Sequence, residues 1–247
     1  MAILGQNVPM WLFLCRKFVS GLSKNSEHKR HDYRKKEICM TVEYRNQEHR
    51  ESKAEILRRQ SKERFLKYDQ EKMISLFHLP HDEESMHIEF LGQTYTINRK
   101  NGELMQGERL ADLDEMASIY EFLTTATHLP EETGDWRSIA ALCTNTTDTS
   151  LGRYIEYLQP FEGKLPLMRE ACQKLGGIPA NKGDVSSFIP VFDGITVWFQ
   201  YWEADDEFPA SVQFLWDASI VDFFRWSILW NIMTCITNRM KEVAGIE

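Results

Sequence analysis

The sequence predicts an α+β protein in which an antiparallel β-meander and hairpins pack against helices, and three observations carry that expectation. Gly92-Gln93 and Asp193-Gly194 each separate two runs rich in β-branched and aromatic residues, the pattern of a β-hairpin. The stretch Asp184–Trp230 holds five of the seven tryptophans, and after Trp216 its apolar period lengthens from two to about three and a half, as strands giving way to a long C-terminal helix require. Two earlier segments, near residues 44–77 and 112–127, show helical spacing, the first of them strongly charged.

Residues 1–40 show no sustained period. They carry eight Lys/Arg against three Asp/Glu, net +5, which leaves −13 for the rest of a chain whose total is −8. The run KNSEHKRHDYRKKE reads as a basic, solvated, disordered tail. A second reading is open: Lys36-Glu37 can be encoded AAG-GAG, a purine-rich ribosome-binding sequence, Ile38-Cys39 would supply the spacing, and translation would then start at Met40. Under either reading no site is expected at Cys15, Cys39, His28 or His31. The apolar patch VPMWLFLC, residues 8–15, has neither a basic leader nor a small-residue cleavage site, so a secretory signal is not expected.

From Tyr44 to about Phe77 the charged segment places Leu57, Phe65, Leu66, Tyr68, Met73, Leu76 and Phe77 as one or two amphipathic helices, ended by Leu79-Pro80. The chain thus reads as a helical region, 41–79, ahead of a single α+β domain, 80–247. Met86–Ile97 is expected to form a hairpin with Gly92-Gln93 in a type II′ turn, pairing Phe90 with Tyr95 and Ile88 with Ile97. Asn101-Gly102 offers a further turn. Asp112 and Glu115 open a helix carrying Leu113, Met116, Tyr120, Leu123 and Thr127, with Pro130 beyond its end. Residues 130–150, with TGDW and TNTTDTS, are polar and turn-rich, anchored by Trp136. Leu165–Leu175 reads as a short helix with Met168, Cys172 and Leu175 inward and Gly176-Gly177 as its stop.

In the tryptophan-rich stretch, an Asp193-Gly194 type I′ turn sets Ile189 opposite Trp198. The run Ile195–Trp202 is apolar on both pleat faces and is expected to be central and covered on both sides. Ser211–Trp216 alternates as a strand with one wetter face. Ser219 and Asp222 resemble a capping box opening a helix that is apolar around most of its circumference as far as Met233. These strands and the helix are expected to form one apolar slab.

Composition narrows the function classes. An apolar share of 43% with 27% charged residues is that of a globular protein. No run of about eighteen apolar residues exists, so no bilayer span is expected and the default location is cytoplasmic. The acidic body does not suit a nucleic-acid partner. Five widely spaced cysteines without a C-x-x-C pair argue against a disulfide framework and against a local zinc or iron-sulfur motif. Neither phosphate-binding glycine motif is present, and Ser186 and Ser187 lack a G-x-S-x-G context, so nucleotide binding and nucleophilic catalysis have no local signature.

The pattern VSSFIPVF, then WFQYWEADDEFPA, then LWDAS leading into an apolar helix resembles the prokaryotic family known as domain of unknown function 3786, over about residues 80–243 and most sharply over 184–219. The segment GDWRSI resembles that family's Gly-x-Trp segment, after which the chain diverges. The resemblance implies an anaerobic setting, and some members carry a fused four-cysteine iron-sulfur module, which implies a link to redox or corrinoid metabolism. This chain has no four-cysteine cluster, so an iron-sulfur centre does not carry over, and no cofactor is assigned.

Three sets of residues could carry chemistry. Glu203, Asp205, Asp206 and Glu207 put four carboxylates in five residues, a density that suits Ca²⁺ or Mg²⁺, against the plainer reading of a solvated acidic bend tied down by Phe208 and Pro209. His78 and His81 have an H-x-x-H spacing that could place two imidazoles on one metal, against a helix-ending loop. The lone histidines His87 and His128 read as structural. Trp198, Trp202, Trp216, Trp226 and Trp230 could line an apolar cofactor pocket, against a role in the core. Three functions follow: an accessory or ligand-binding domain of anaerobic cytoplasmic metabolism, non-catalytic by itself; a metal-dependent enzyme using the acidic loop 203–207; or an interaction module that docks a protein partner through residues 44–77.

Overall fold

The computed structural model describes residues 52–142 and 152–246. Helix α1, Lys53–Phe65, opens on a capping box between Ser52 and Glu55, and α2, Gln70–Phe77, on Asp69, whose carboxylate accepts from Lys72 N–H. His78 closes α2 in the left-handed conformation, φ 51. Strands β1 (Ser85–Phe90), β2 (Gln93–Asn98), β3 (Leu104–Gln106) and β4 (Arg109–Leu110) form an antiparallel meander in that order. The expected Asp112–Glu115 capping box is present and starts α3, Leu113–Thr125.

Strand β5 (Trp136–Ser138), the short helices α4 (Ile139–Leu142) and α5 (Gly152–Leu158), then α6 (Leu165–Lys174) and strand β6 (Ile178–Pro179) lead into the tryptophan-rich stretch. There β7 (Val185–Phe192), β8 (Ile195–Trp202) and β9 (Ser211–Asp217) complete a second antiparallel sheet of order β5-β9-β8-β7-β6, and α7, Trp226–Ala244, ends on Gly245. Among the described residues seven helices and two antiparallel sheets make the architecture α+β, with β8 at the centre of the five-stranded sheet. Among the described residues no helix is long and apolar enough to cross a membrane.

One face of the second sheet, including Ile189, Val197, Phe199, Val212, Phe214 and Trp216, is buried. Helix α6 packs on β7 and on α7, and α7 packs in turn on α3. The two sheets meet in a phenylalanine cluster. Phe192 of β7 lies 4.8 Å from Phe90 of β1 and 4.3 Å from Phe122 of α3, and Phe122 stacks on Phe224 at 5.8 Å. Helices α1 and α2 join the same compact unit, since fully buried Phe65 stacks on Tyr120 at 4.5 Å and Phe77 meets Phe122 at 4.6 Å. The basic segment 1–40, the Met40 start, residues 44–51, Cys143 and TNTTDTS lie outside the described residues.

Four local expectations are corrected. The first hairpin turns on Leu91-Gly92, not Gly92-Gln93: both residues have positive φ, 49 and 70, so Phe90 pairs with Gln93, Ile88 with Tyr95 and Met86 with Ile97. The shift is by two residues, so each side chain keeps its face. In the second hairpin the register slips at Pro190/Phe192, and Phe188, not Ile189, lies opposite Trp198. Proline has no N–H for the ladder, and the extra residue, Val191, bulges beside it.

The final helix begins at Trp226. Asp217, not Ser219, is the local cap: its carboxylate accepts from Ser219 N–H and starts a 3₁₀ turn, Ala218–Asp222. The chain then breaks so that Phe223 and Phe224 both enter the core, while Arg225 is held in extended conformation by a two-pronged contact with Glu121 at 2.5 and 2.7 Å. Last, the tryptophans do not form one slab. Trp216 is fully buried, Trp198, Trp202 and Trp230 are partly buried, and Trp226 is half exposed, so β8 is covered fully on only one face.

Candidate functional site

Gly176 and Gly177 stop α6 as a Schellman-type cap, Gly177 N–H donating to Cys172 O at 2.9 Å, and the chain reverses through β6 into the connection Ala180–Asp184. This connection stands away from β7 and leaves a cleft of about 560 Å³ lined by Arg169, Cys172 and Gln173 of α6, by the connection itself, and by Ser186 and Ser187 of β7. The volume lies in the range of small-molecule sites. Two glycines set its walls. A Cβ on Gly177 would stand 2.4 Å from Ser187 Oγ and 2.6 Å from the Cys172 carbonyl; one on Gly183, at φ +66, would stand 2.6 Å from the Tyr201 carbonyl.

Arg169, Gln173, Asn181, Lys182 and Ser186 bring side-chain hydrogen-bond donors to the lining. Arg169 Nη2 donates to the Asp184 carbonyl at 2.6 Å, and among the described residues neither Arg169 nor Lys182 is ion-paired. The one carboxylate of the lining is engaged elsewhere: Asp184 Oδ2 accepts from Glu203 N–H at 2.8 Å. Ser186 Oγ accepts from Trp198 Nε1–H at 2.9 Å, which leaves its own O–H free to donate. Ser187 Oγ donates to the Ile178 carbonyl at 3.2 Å. Burial pushes the Cys172 thiol up to about 12, so it stays protonated and is a poor nucleophile. The arrangement presents cationic and neutral donors to an acceptor-rich ligand.

The sequence-predicted site residues lie elsewhere. In the acidic loop, Glu203 Oε1 accepts from Gly163 N–H at 2.7 Å, and Asp205 Oδ1 accepts from the N–H groups of Glu207 and Phe208 at 2.9 and 2.7 Å. These backbone hydrogen bonds hold the Asp205 carboxyl below its ordinary range. The carboxylates therefore tie the bend down, while Phe208, the expected anchor, is 67% exposed. Asp206 and Glu207 are exposed. His78 is the helix cap, and His81 donates Nδ1–H to the Leu79 carbonyl at 2.9 Å. Among the described residues no group of three or more His, Cys, Asp or Glu side chains is placed to hold a metal ion. His87 Nδ1 meets Thr96 Oγ1 at 3.0 Å, and His128 packs on Phe223.

The five tryptophans are not gathered on one pocket. Trp198 stacks on Phe188 at 5.0 Å and Trp230 on Tyr154 at 5.9 Å, while the Trp202 ring abuts Gly183 and Trp216 lies in the core. Of the five, two bear on the cleft: Trp198 through Ser186 and Trp202 through Gly183. Reading the sequence for motifs passed over Arg169 and Lys182; the available signal was PANKGD, a Pro/Gly-punctuated run with a lysine just ahead of the central hairpin.

Buried charges outside the cleft are internally satisfied. Glu115 accepts from Tyr95 OH at 2.6 Å and from Arg109 at 2.7 and 2.9 Å, and Arg239 donates to Tyr95 OH at 2.9 Å and to Glu242 at 2.9 Å. Burial raises the Tyr95 pKa well above its ordinary value, so the hydroxyl stays protonated. Asp217 binds Thr133 and Gly134 and so clasps the segment that leads into β5. These clusters are structural clamps across helices and strands.

No curated protein and no solved structure matches this chain. A family model does match, over residues 69–239, which takes in α2 and most of α7 together with both sheets and the cleft. The chain belongs to the family described as domain of unknown function (DUF3786).

Proposed function

We propose that this chain is a non-catalytic ligand-binding domain whose cleft between α6 and β7 takes a small anionic molecule rich in hydrogen-bond acceptors. The supporting observation is the pair of cations without carboxylate partners, Arg169 and Lys182, facing a cleft in a body that is otherwise strongly acidic. The Ser186 hydroxyl and the Gln173 and Asn181 amides add neutral donors. The lining offers no activated nucleophile, because the Cys172 thiol is held protonated. The setting proposed is the cytoplasm of an anaerobic prokaryote, in an accessory role to iron-sulfur or corrinoid systems; it rests on the family resemblance. A protein partner is proposed through residues 44–77, of whose described part Leu57 on α1 and Tyr68 in the turn between α1 and α2 are exposed. The acidic body disfavours nucleic acid as that partner.

Calorimetric titration with inorganic phosphate and with citrate tests the cleft. Saturable binding is expected for at least one anion, with affinity about tenfold weaker in Arg169→Gln and in Lys182→Gln, since a charge-assisted hydrogen bond is lost. Absence of saturable binding by both anions, or equal affinity in wild type and both variants, overturns the reading.

A further inference from the structure

We infer a second site, on the opposite side of β6 from the cleft, that takes a small organic cation of the alkylammonium class. The inference is independent of the anion site. Register places Phe188, Trp198 and Leu215 in one cross-strand row on the less buried face of the second sheet. Trp136, from the edge strand β5, joins this row, 5.2 Å from Phe188 and 6.2 Å from Trp198. Beside these rings lies a cleft of about 350 Å³ walled by Trp136, Phe188, Ile178, Pro190, Thr196 and Glu132.

The rings are held in place without a ligand. Phe188 stacks on Trp198 with 27° between their planes, Trp136 stands edge-on to Trp198 at 79°, and the Trp198 indole N–H is tied to Ser186. Ile178, at 68% exposure, extends the apolar wall to the surface. No Lys or Arg stands on this wall, and its one charged group is Glu132, which among the described residues has no ion-pair partner.

These features select the ligand class. A hard metal ion needs several oxygen ligands, and this wall supplies one carboxylate and the Thr196 hydroxyl. A neutral apolar ligand leaves the carboxylate without a role and gains nothing from the acidic body. An alkylated ammonium group satisfies both halves: its methyl or methylene groups pack on the apolar wall, and its diffuse charge meets the aromatic quadrupoles and the Glu132 carboxylate.

Calorimetric titration of the full chain with choline, and with dimethylbutanol as its uncharged isostere, tests the site. Choline is expected to bind saturably and dimethylbutanol about tenfold more weakly. Glu132 is exposed, so Glu132→Gln is expected to fold normally and to weaken choline about threefold, the scale of an exposed ion pair. Trp136→Leu is expected to abolish binding while circular dichroism reports the fold. Arg169→Gln leaves choline affinity unchanged, which separates failure of this site from failure of the anion cleft. The assignment is overturned if choline gives no saturable heat, if the alcohol binds as tightly, or if Glu132→Gln matches wild type.

Discussion

The backbone N–H of Leu91 donates to the carbonyl of Val191 at 3.0 Å, so the turn of the first hairpin is tied to the bulge of the second. Leu91 pays for this place with a positive φ of 49, which costs a branched residue about 1–2 kcal/mol, but its side chain is only 2% exposed. Removing a buried leucine side chain costs about 2–5 kcal/mol. Leu91→Gly relieves the first and incurs the second, so a net loss of about 1–3 kcal/mol is expected in urea unfolding. An unchanged or raised midpoint shows that turn strain outweighs packing here.

The same pair of residues shows where sequence reasoning stops. Alternation and the Asp193-Gly194 turn were enough to locate both hairpins and the central strand, because side-chain period and turn chemistry are local properties. The first turn misled because glycine preference points to Gly92-Gln93, whereas a tertiary hydrogen bond and burial hold Leu91 in the left-handed region. The second register slipped on Pro190 for a reason that only the completed ladder displays. Strands β5 and β6, with three and two residues, are too short to show a period, yet β6 borders both clefts and β5 the aromatic one. Of the site, PANKGD was visible, but the pairing of Lys182 with Arg169 across a cleft depends on the chain reversal after α6.

Glu115 links pH to stability. Burial alone raises its pKa, but hydrogen bonds from Arg109, Tyr95 and the Asp112 N–H outweigh burial and bring the group below its ordinary 4.5. With the folded value depressed, the unfolded chain takes up the proton first. This contribution is therefore whole above about pH 4.5 and is lost as pH falls through the folded value. Glu115→Gln is expected to lower stability near neutral pH by about 2–3 kcal/mol, since Arg109 and Arg239 lose a charged acceptor, and to decline less steeply on acidification than wild type. Denaturant midpoints measured across the acid range check both slopes.

Cys172 and Cys235 are buried thiols with raised pKa values, Cys172 to about 12 and Cys235 well above its ordinary value, through burial in both cases. Iodoacetamide at mildly alkaline pH is expected to leave the peptides that contain them unlabelled in the native protein and to label them fully in denaturant. Rapid native labelling of Cys172, read by peptide mass spectrometry, would show that the anion cleft opens to its floor.

Asp217 joins the end of β9 to the edge of its sheet. Its carboxylate accepts from Thr133 N–H at 2.9 Å, Gly134 N–H at 2.7 Å, Thr133 Oγ1 at 3.0 Å and Ser219 N–H at 3.0 Å. Burial works to raise its pKa, and the donors from Ser219, Gly134 and Thr133 outweigh burial, leaving the carboxyl below its ordinary value. Asn can accept through one oxygen only and turns an amide N–H₂ toward backbone donors. Asp217→Asn is therefore expected to cost about 2–3 kcal/mol, with the loss concentrated at β5. Amide hydrogen exchange should quicken at Trp136–Ser138, which pair with Asp217, Trp216 and Leu215, while the β7–β8 amides stay protected. Because Trp136 walls the aromatic cleft, the same variant should weaken choline and leave phosphate binding intact. Equal loss of protection in β5 and β8 would instead mean that Asp217 supports the whole sheet.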